Sequence, residues 1–337
     1  MTEITTLSQF LTTANTQFQI YDLGRRVQHI DMLAFQQIDS LLAPYPYPIQ
    51  GHAQFAIVFW QQAQLPYIWF VKLPLDEQGL LSPAPRTQFI KMILEALGRN
   101  PTQALTDEQQ EQLANHPFSF KPNQHKLALF NALVRLQLNQ PASSQYEFAA
   151  QYLSGQAAHD TWPQLGVQGL ADLCVRAHQF NHLDDIINAL DNAPIEVKAA
   201  LCQSLEHINL DKRLAEHLFS QLQQAEDHLK VMYLAALASN VHYSMAAINQ
   251  LNDQQALDEN TLITIAARNW LALKDDDTRK HYLEALAKQP QHFFNQVFAD
   301  IVAIPSLRPG LLADLRHPDR SIQLATAIGG LFRATSL

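Results

Sequence analysis

Glycine is scarce in this chain, with 10 residues among 337. Glycine supplies the unusual backbone angles of phosphate-binding loops and of tightly turned all-β folds, so both are disfavoured. The sequence also contains no GxGxxG, P-loop, GxSxG or protein-kinase motif. We therefore predict no catalytic residue and no cofactor.

Charged residues are also few, at 16% of the chain, compared with about 25% in a typical soluble domain. The net charge is −9, and no third of the sequence carries more Lys and Arg than Asp and Glu. Nonspecific affinity for nucleic acids depends on cationic side chains. We therefore expect no nucleic-acid partner.

Cysteines and uninterrupted apolar runs are rare as well. Cys174 and Cys202 are the only cysteines, and each lies in an apolar run with helical spacing. This favours two buried thiols in a reducing compartment over a disulfide or a reactive site. The N-terminus lacks the features of a signal peptide, and polar residues and Pro66 interrupt the most apolar stretch, 55–75. These patterns predict a cytoplasmic protein without a membrane segment.

The first 100 residues combine strand and helix patterns. The predicted strands cover 18–23, 26–30, 54–60, 67–73 and 80–81. The predicted helices lie near 4–14, 32–41 and 85–97. The two strands richest in β-branched and aromatic residues are separated by a short connector, which indicates a β-hairpin over 54–73. We therefore predict an α+β domain over 1–100, with a small antiparallel sheet and helices on at least one face.

After residue 100 the sequence predicts only helices. The first of them, near 106–115, 122–138 and 143–154, belong to a helical connector over 101–160. The periodicity is strongest in 122–138, where Leu127, Phe130, Val134 and Leu138 recur at helical spacing.

From residue 161 onward the helices follow a repeated format, in which a turn-like or acidic start leads into an apolar, often Ala-rich helix. Five copies begin at 194, 227, 257, 290 and 318, with spacings of 33, 30, 33 and 28 residues. A more divergent copy begins at 162. Such units bury their apolar faces only by stacking, so we predict an all-α, HEAT-like α-solenoid over 161–337. An irregular helical bundle is the alternative.

Three segments resemble members of an uncharacterised bacterial family that is known only as a domain of unknown function. They are the opening TLSQFL, the segment YDLGRRV and the stretch WFVKLPLDEQG. The resemblance extends over the whole chain and includes a HEAT-like helical C-terminal half. It implies no activity.

Asp22, Arg25 and Arg26 form the most suggestive local cluster for ligand binding. Two guanidiniums beside the bend at Gly24 are suited to bidentate binding of a carboxylate or phosphate. Adjacent side chains of a strand point to opposite faces, so both reach one ligand only if the bend redirects them. The alternative is that one arginine pairs with a neighbouring Asp and the other is solvated.

His178 and His182 have the spacing that places two imidazoles on one helix face, and Asp184 and Asp185 follow. Asn181 resembles a junction between two helices, however, which would separate the two histidines. No third ligand is positioned by the sequence. We therefore predict no metal site and assign these histidines to the surface or to helix caps.

Two acidic runs and an aromatic cluster also have structural explanations. Asp76 and Glu77 are typical of a charged turn, and the run Asp275–Asp277 is typical of a helix start favoured by the helix dipole. The aromatic residues of the hairpin indicate a sheet core more than a binding groove.

We predict a noncatalytic scaffold that binds another protein, with the α+β domain as a cap or second docking surface. The competing hypothesis is an enzyme or a binder of a small anionic metabolite that uses Asp22, Arg25 and Arg26. The weakest hypothesis is nucleic-acid binding along the solenoid groove.

Overall fold

The computed structural model describes residues 4–61, 66–97 and 116–335. Within these ranges the chain forms two compact units. The first contains the residues up to Pro122 together with Ala303–Pro305. The second contains Asn123–Val302 and the residues from Ser306 onward.

The first unit is a small antiparallel sheet with helices. Its elements are α1 (Leu7–Thr13), β1 (Gln17–Asp22), β2 (Gln28–Ile30), α2 (Met32–Asp39), β3 (His52–Trp60), β4 (Tyr67–Pro74) and α3 (Pro83–Leu97). The strands are hydrogen-bonded in the order β2-β1-β3-β4, and each neighbouring pair is antiparallel. The predicted α+β fold with a small antiparallel sheet is therefore confirmed.

The three helices share one apolar core with one face of the sheet. Alternate residues of a strand point to the same face, and Phe18 of β1 and Phe55 of β3 are buried on this one. Phe10 of α1, Phe35 of α2 and Phe89 of α3 are buried in the same cluster. The aromatic side chains whose abundance predicts the strands also fill the space between the sheet and the helices.

Two predicted strands differ in the structure: one is absent and one is shorter. Residues 80–81 form no strand, and Leu81 makes only an isolated bridge with Leu75. The intervening turn is closed by Asp76, whose Oδ1 accepts hydrogen bonds from the backbone N–H groups of Gln78 and Leu80. β2 begins only at Gln28, because the residues before it form a loop. The predicted helix 106–115 lies outside the described residues.

Among its described residues the second unit contains helices and the turns between them. The helices are α4 (Gln124–Gln137), α5 (Tyr146–Leu153), α6 (Val167–Val175), α7 (Leu183–Asn192), α8 (Ile195–Leu205), α9 (Lys212–Gln224), α10 (Asp227–Ala236), α11 (Val241–Asp253), α12 (Glu259–Ala267), α13 (Asp276–Leu286), α14 (Gln291–Val302), α15 (Arg308–Asp314) and α16 (Ile322–Thr335). Short 3-10 segments lie at His159–Gln164, Leu237–Ser239 and Trp270–Lys274.

These helices form two layers. The even-numbered helices from α4 to α16 each contact the next even-numbered helix and make up the first layer. The odd-numbered helices from α5 to α13 contact one another in the same way and make up the second layer. The predicted all-α array after the α+β domain is therefore confirmed.

The segments predicted as repeat copies all lead into helices of the first layer. Those helices begin at Val167, Ile195, Asp227, Glu259, Gln291 and Ile322. The same pattern of contacts already includes α4 and α5, which precede residue 161. The Pro and acidic residues at the start of each predicted copy therefore lie at or just before the N-terminus of a first-layer helix.

Several side-chain hydrogen bonds link neighbouring helices of the second layer over similar separations along the chain. The linked pairs are Asp184 with Arg213, Asp191 with Gln221, Glu216 with Tyr243, Gln223 with Gln250 and Asn249 with Thr278. Their partners are 27 to 30 residues apart. This separation is close to the spacing of the sequence copies, so equivalent positions of successive units meet.

No helix formed by the described residues combines the length and the apolar character that crossing a bilayer requires.

Both cysteines are buried in the first layer, Cys174 in α6 and Cys202 in α8. Burial raises the pKa of Cys174 to about 12 and also raises the pKa of Cys202 far above its ordinary value. The thiolate is the reactive form of cysteine. Neither thiol is therefore poised to react in the folded protein.

We expect the native protein to resist modification by dithionitrobenzoate at pH 8, whereas the unfolded protein should react at both of its thiols. The release of thionitrobenzoate with and without guanidinium chloride measures this difference. A fast reaction in the native state would contradict the observed burial. The variant Cys202→Ala would then identify the exposed thiol.

Candidate functional site

Asp22 organises the loop between β1 and β2, which contains Arg25 and Arg26. Its carboxylate is fully buried. Oδ1 accepts a hydrogen bond from the backbone N–H of Gly24 at 3.2 Å, and Oδ2 accepts one from the backbone N–H of Arg26 at 3.3 Å. The structure therefore brings all three predicted residues together, with the carboxylate bound to the backbone of the loop.

Both arginine side chains in this loop are buried. The Nε of Arg25 donates a hydrogen bond to the carbonyl oxygen of Pro48 at 2.7 Å. Arg25 is 0% exposed and Arg26 is 4% exposed. A Cβ added to Gly24 would lie 3.0 Å from Cγ2 of Ile49, so a glycine lets the loop pack closely against this neighbouring segment.

A tyrosine that the sequence analysis did not identify completes the cluster. The hydroxyl of Tyr45 donates a hydrogen bond to Oδ1 of Asp22 at 2.7 Å. Burial, and then the charge of Asp22, raise the pKa of Tyr45 well above its ordinary value. The pKa of Tyr47 is also raised, by burial and by Asp22, while Arg26 opposes the shift. Tyr45 is therefore a hydrogen-bond donor here and not a base.

This arrangement holds a loop in place. A buried carboxylate is stable only if hydrogen bonds and nearby cations replace the water that it has lost. Asp22 has such partners in two backbone N–H groups, the Tyr45 hydroxyl and the Gln28 side-chain amide, whose Nε2 lies 3.5 Å from Oδ2. Because Arg25 has no exposed surface, an anion from solvent reaches its guanidinium only if the loop opens.

Tyr146, His182 and Asp185 form a second polar constellation, located in the helical unit. The hydroxyl of Tyr146 lies 2.7 Å from Nε2 of His182, and Nδ1 of His182 lies 3.2 Å from Oδ2 of Asp185. Asn181 adopts a positive φ of 58°, so the helical run breaks there and His178 does not share a face with His182. The sequence indicates this break, but it cannot place Tyr146, which lies 36 residues away.

Asp39 is a further buried carboxylate that sequence reasoning missed. It ends α2, and its Oδ2 accepts hydrogen bonds from the backbone N–H and the hydroxyl of Ser8 at 2.8 and 2.9 Å. Burial raises the pKa of Asp39, although the hydrogen bonds from Ser8 and the nearby Arg86 guanidinium oppose this shift. Asp39 therefore ties α2 to the first turn of α1.

The remaining acidic and aromatic motifs take structural positions. Oδ1 of Asp275 accepts a hydrogen bond from the backbone N–H of Thr278 at 2.9 Å and caps α13. Phe55 and Phe59 are fully buried, and the ring centroid of Phe59 lies 4.5 Å from that of Trp69. Among the described residues, no group of three or more His, Cys, Asp or Glu side chains is arranged to hold a metal ion.

A family model described as "Protein of unknown function (DUF3549)" matches residues 2–332. The predicted resemblance to a domain of unknown function is thereby confirmed, and it extends over nearly the whole chain. No curated protein and no solved structure matches the chain.

The Tyr45–Asp22 hydrogen bond leads to a prediction about stability. Replacing Tyr45 by Phe leaves a buried carboxylate with one donor fewer, so the free energy of unfolding should fall by about 1–3 kcal/mol. Urea denaturation followed by circular dichroism measures this change. In the control Tyr243→Phe, which removes a surface hydrogen bond to Glu216, the loss should be smaller. Equal losses in both variants would contradict a special role for the buried pair.

The raised pKa of Asp39 leads to a prediction about pH. Because the folded-state pKa exceeds the unfolded value of about 3.9, the folded protein binds this proton more tightly. The resulting stability is present below the unfolded pKa and is lost as pH rises through the folded pKa. Asp39→Asn should therefore gain stability relative to the wild type as pH rises from 4 to 7. Urea denaturation across this range tests it, and a variant that loses relative stability with rising pH would refute the assignment.

Proposed function

The chain belongs to the DUF3549 family, and we propose that it is a noncatalytic scaffold that binds another protein through its helical array. In this proposal the array is a HEAT-like solenoid, and the first layer is the docking side. The protein acts in the cytoplasm, where its two buried free thiols stay reduced. The net charge of −9 disfavours a nucleic acid as the partner.

The observation that carries this proposal is a set of exposed apolar side chains on the first layer. Ile195 of α8, Ile263 of α12 and Ile322 of α16 are 42%, 48% and 88% exposed. Isoleucine prefers the interior, and complete burial of one such side chain contributes about 1.5–3 kcal/mol. A partner that covers several of them gains binding energy without any change in the fold.

The second layer has a different surface. Its neighbouring helices are joined by the side-chain pairs described above, such as Asp191 with Gln221 and Gln223 with Gln250. A partner that docks there would compete with hydrogen bonds that the array already makes. The surface chemistry therefore supports docking on the first layer.

The array also offers the area that docking needs. A specific interface buries about 800 Å² on each partner. A row of stacked helices extends over several repeats, and each repeat adds surface to one side of the array. The buried core of the array stays intact when such a surface is covered, so binding requires no unfolding.

The proposal predicts a layer-specific loss of binding. Purified tagged protein should retain a partner from lysate of its native cells in a fixed stoichiometry after cross-linking. Ile263→Lys, in the first layer, should reduce the recovered partner at least tenfold because it places a charge in the docking surface.

Val241→Lys is the matched control, because Val241 is a 37% exposed apolar residue on the second-layer helix α11. This variant should retain the partner. Circular dichroism establishes that both variants fold. Recovery of the protein alone, or equal losses in the two variants, would refute the proposal.

A further inference from the structure

The strand β1 is paired along its whole length on one side but only in part on the other. All residues of Gln17–Asp22 pair with β3. On the opposite side, β2 pairs only with Ile20–Asp22. The part of the edge at Gln17–Gln19 therefore has no strand partner among the described residues.

The hydrogen-bonding pattern identifies the backbone groups that point to this open edge. In an antiparallel pair, successive residues direct their N–H and C=O groups alternately to the two sides of the strand. The N–H of Leu23 donates to the carbonyl oxygen of Gln54 in β3. By alternation, Gln19 also faces β3, whereas the N–H and C=O of Phe18 face away from it.

Phe18 is nevertheless buried. The residue as a whole is 5% exposed, and within the described part of the chain its main-chain groups make no hydrogen bond to a turn, a loop or a helix end. Backbone N–H and C=O groups on an open strand edge are a ready template for pairing with another chain. The edge at Phe18 therefore offers one donor and one acceptor to a partner.

A cleft provides the space for that partner. It has a volume of about 500 Å³ and is lined by Gln17, Phe18, His29, Asp31, Met32 and Trp60, among others. β2 does not extend into this cleft, because Asp31 caps α2 and the chain turns into that helix after Ile30. Open edges are commonly protected by Lys or Pro, and the described residues that line this cleft include neither.

We propose that this cleft accepts an extended peptide segment of a partner protein, which adds a short strand beside Phe18. Strand addition to an open sheet edge is an established mode of peptide recognition, in which main-chain hydrogen bonds supply the affinity. The inference rests on the proposed scaffold function and specifies the form of the partner at a second docking surface. It does not depend on which layer of the helical array binds.

The side chains around the cleft define the class of peptide. The residue opposite Phe18 shares its face of the sheet and contacts the apolar surface near Met32, so it is apolar. Its neighbours point to the other face, beside Gln17 and Gln19, and are polar. Asp31 is exposed at the mouth, and no Lys or Arg lines the cleft within the described residues. Basic flanks are therefore favoured over acidic ones.

Amide hydrogen exchange tests the geometry of the free edge. In the protein alone, the amide of Phe18 should exchange at least tenfold faster than that of Gln19, whose N–H faces β3. Site-resolved exchange by NMR on the full chain measures both rates. A Phe18 amide that is as protected as Gln19 in the free protein would overturn the proposal, because the edge would then already be paired.

A synthetic peptide tests binding. The probe is fluorescein-labelled Lys-Val-Thr-Val-Thr-Val-Lys. The comparison peptide is N-methylated at its three valines and therefore lacks the N–H that would donate to the carbonyl oxygen of Phe18. Fluorescence anisotropy should show saturable binding of the probe, at least tenfold tighter than that of the methylated peptide. Bound probe should also slow the exchange of the Phe18 amide. Absent binding, or equal affinity for both peptides, would overturn the proposal.

Two variants of α2 provide a matched control for the site. Met32→Lys should weaken probe binding at least tenfold, since Met32 lines the cleft. Leu33→Lys adds the same charge at the next residue, which is 70% exposed, and should change affinity less than twofold. Equal effects would contradict the assignment. If the peptide fails while partner capture still depends on Ile263, only this inference is lost and the scaffold function stands.

Discussion

Within each layer of the array, helices cover their apolar faces largely by packing against their next-but-one neighbours. No isolated helix pair buries that face, so the layers are stable only as a continuous stack. Neighbouring helices must also keep a fixed axial alignment, because a helix that slides against its neighbour exposes apolar surface. Side-chain hydrogen bonds between equivalent positions, such as that from Gln223 to Gln250, oppose such sliding. The two-layer architecture follows from this mutual coverage.

Much of the fold could be predicted because its determinants are local. The β-branched hairpin strands, the Pro and acidic helix starts and the apolar periodicity each occupy a short window, and each marks a real element. One error arose from the geometry of a turn. Residues 80–81 have strand character, but the turn closed by Asp76 allows only a single bridge. The contacts of α4 with helices far along the chain are not encoded in any short window.

The polar clusters show the same limit more sharply. The sequence brings Asp22, Arg25 and Arg26 to attention because they are adjacent, and the structure does place them together. Their burial was not predictable, since it depends on Tyr45, which lies 23 residues from Asp22. Likewise, Asn181 indicates the helix break, but nothing local connects His182 with Tyr146. Charged residues that are neighbours in the sequence can be recognised as a cluster. Whether they are buried, and which groups they contact, depends on residues far along the chain.

The similar spacing of the second-layer pairs limits where residues can be inserted into the chain. An inserted residue within a helix such as α9 would shift Glu216 and Gln223 relative to Tyr243 and Gln250, and would break the links on both sides of the insertion. An insertion in a turn leaves those pairs aligned. A change in length is therefore tolerated better in the turns than within the helices of the second layer.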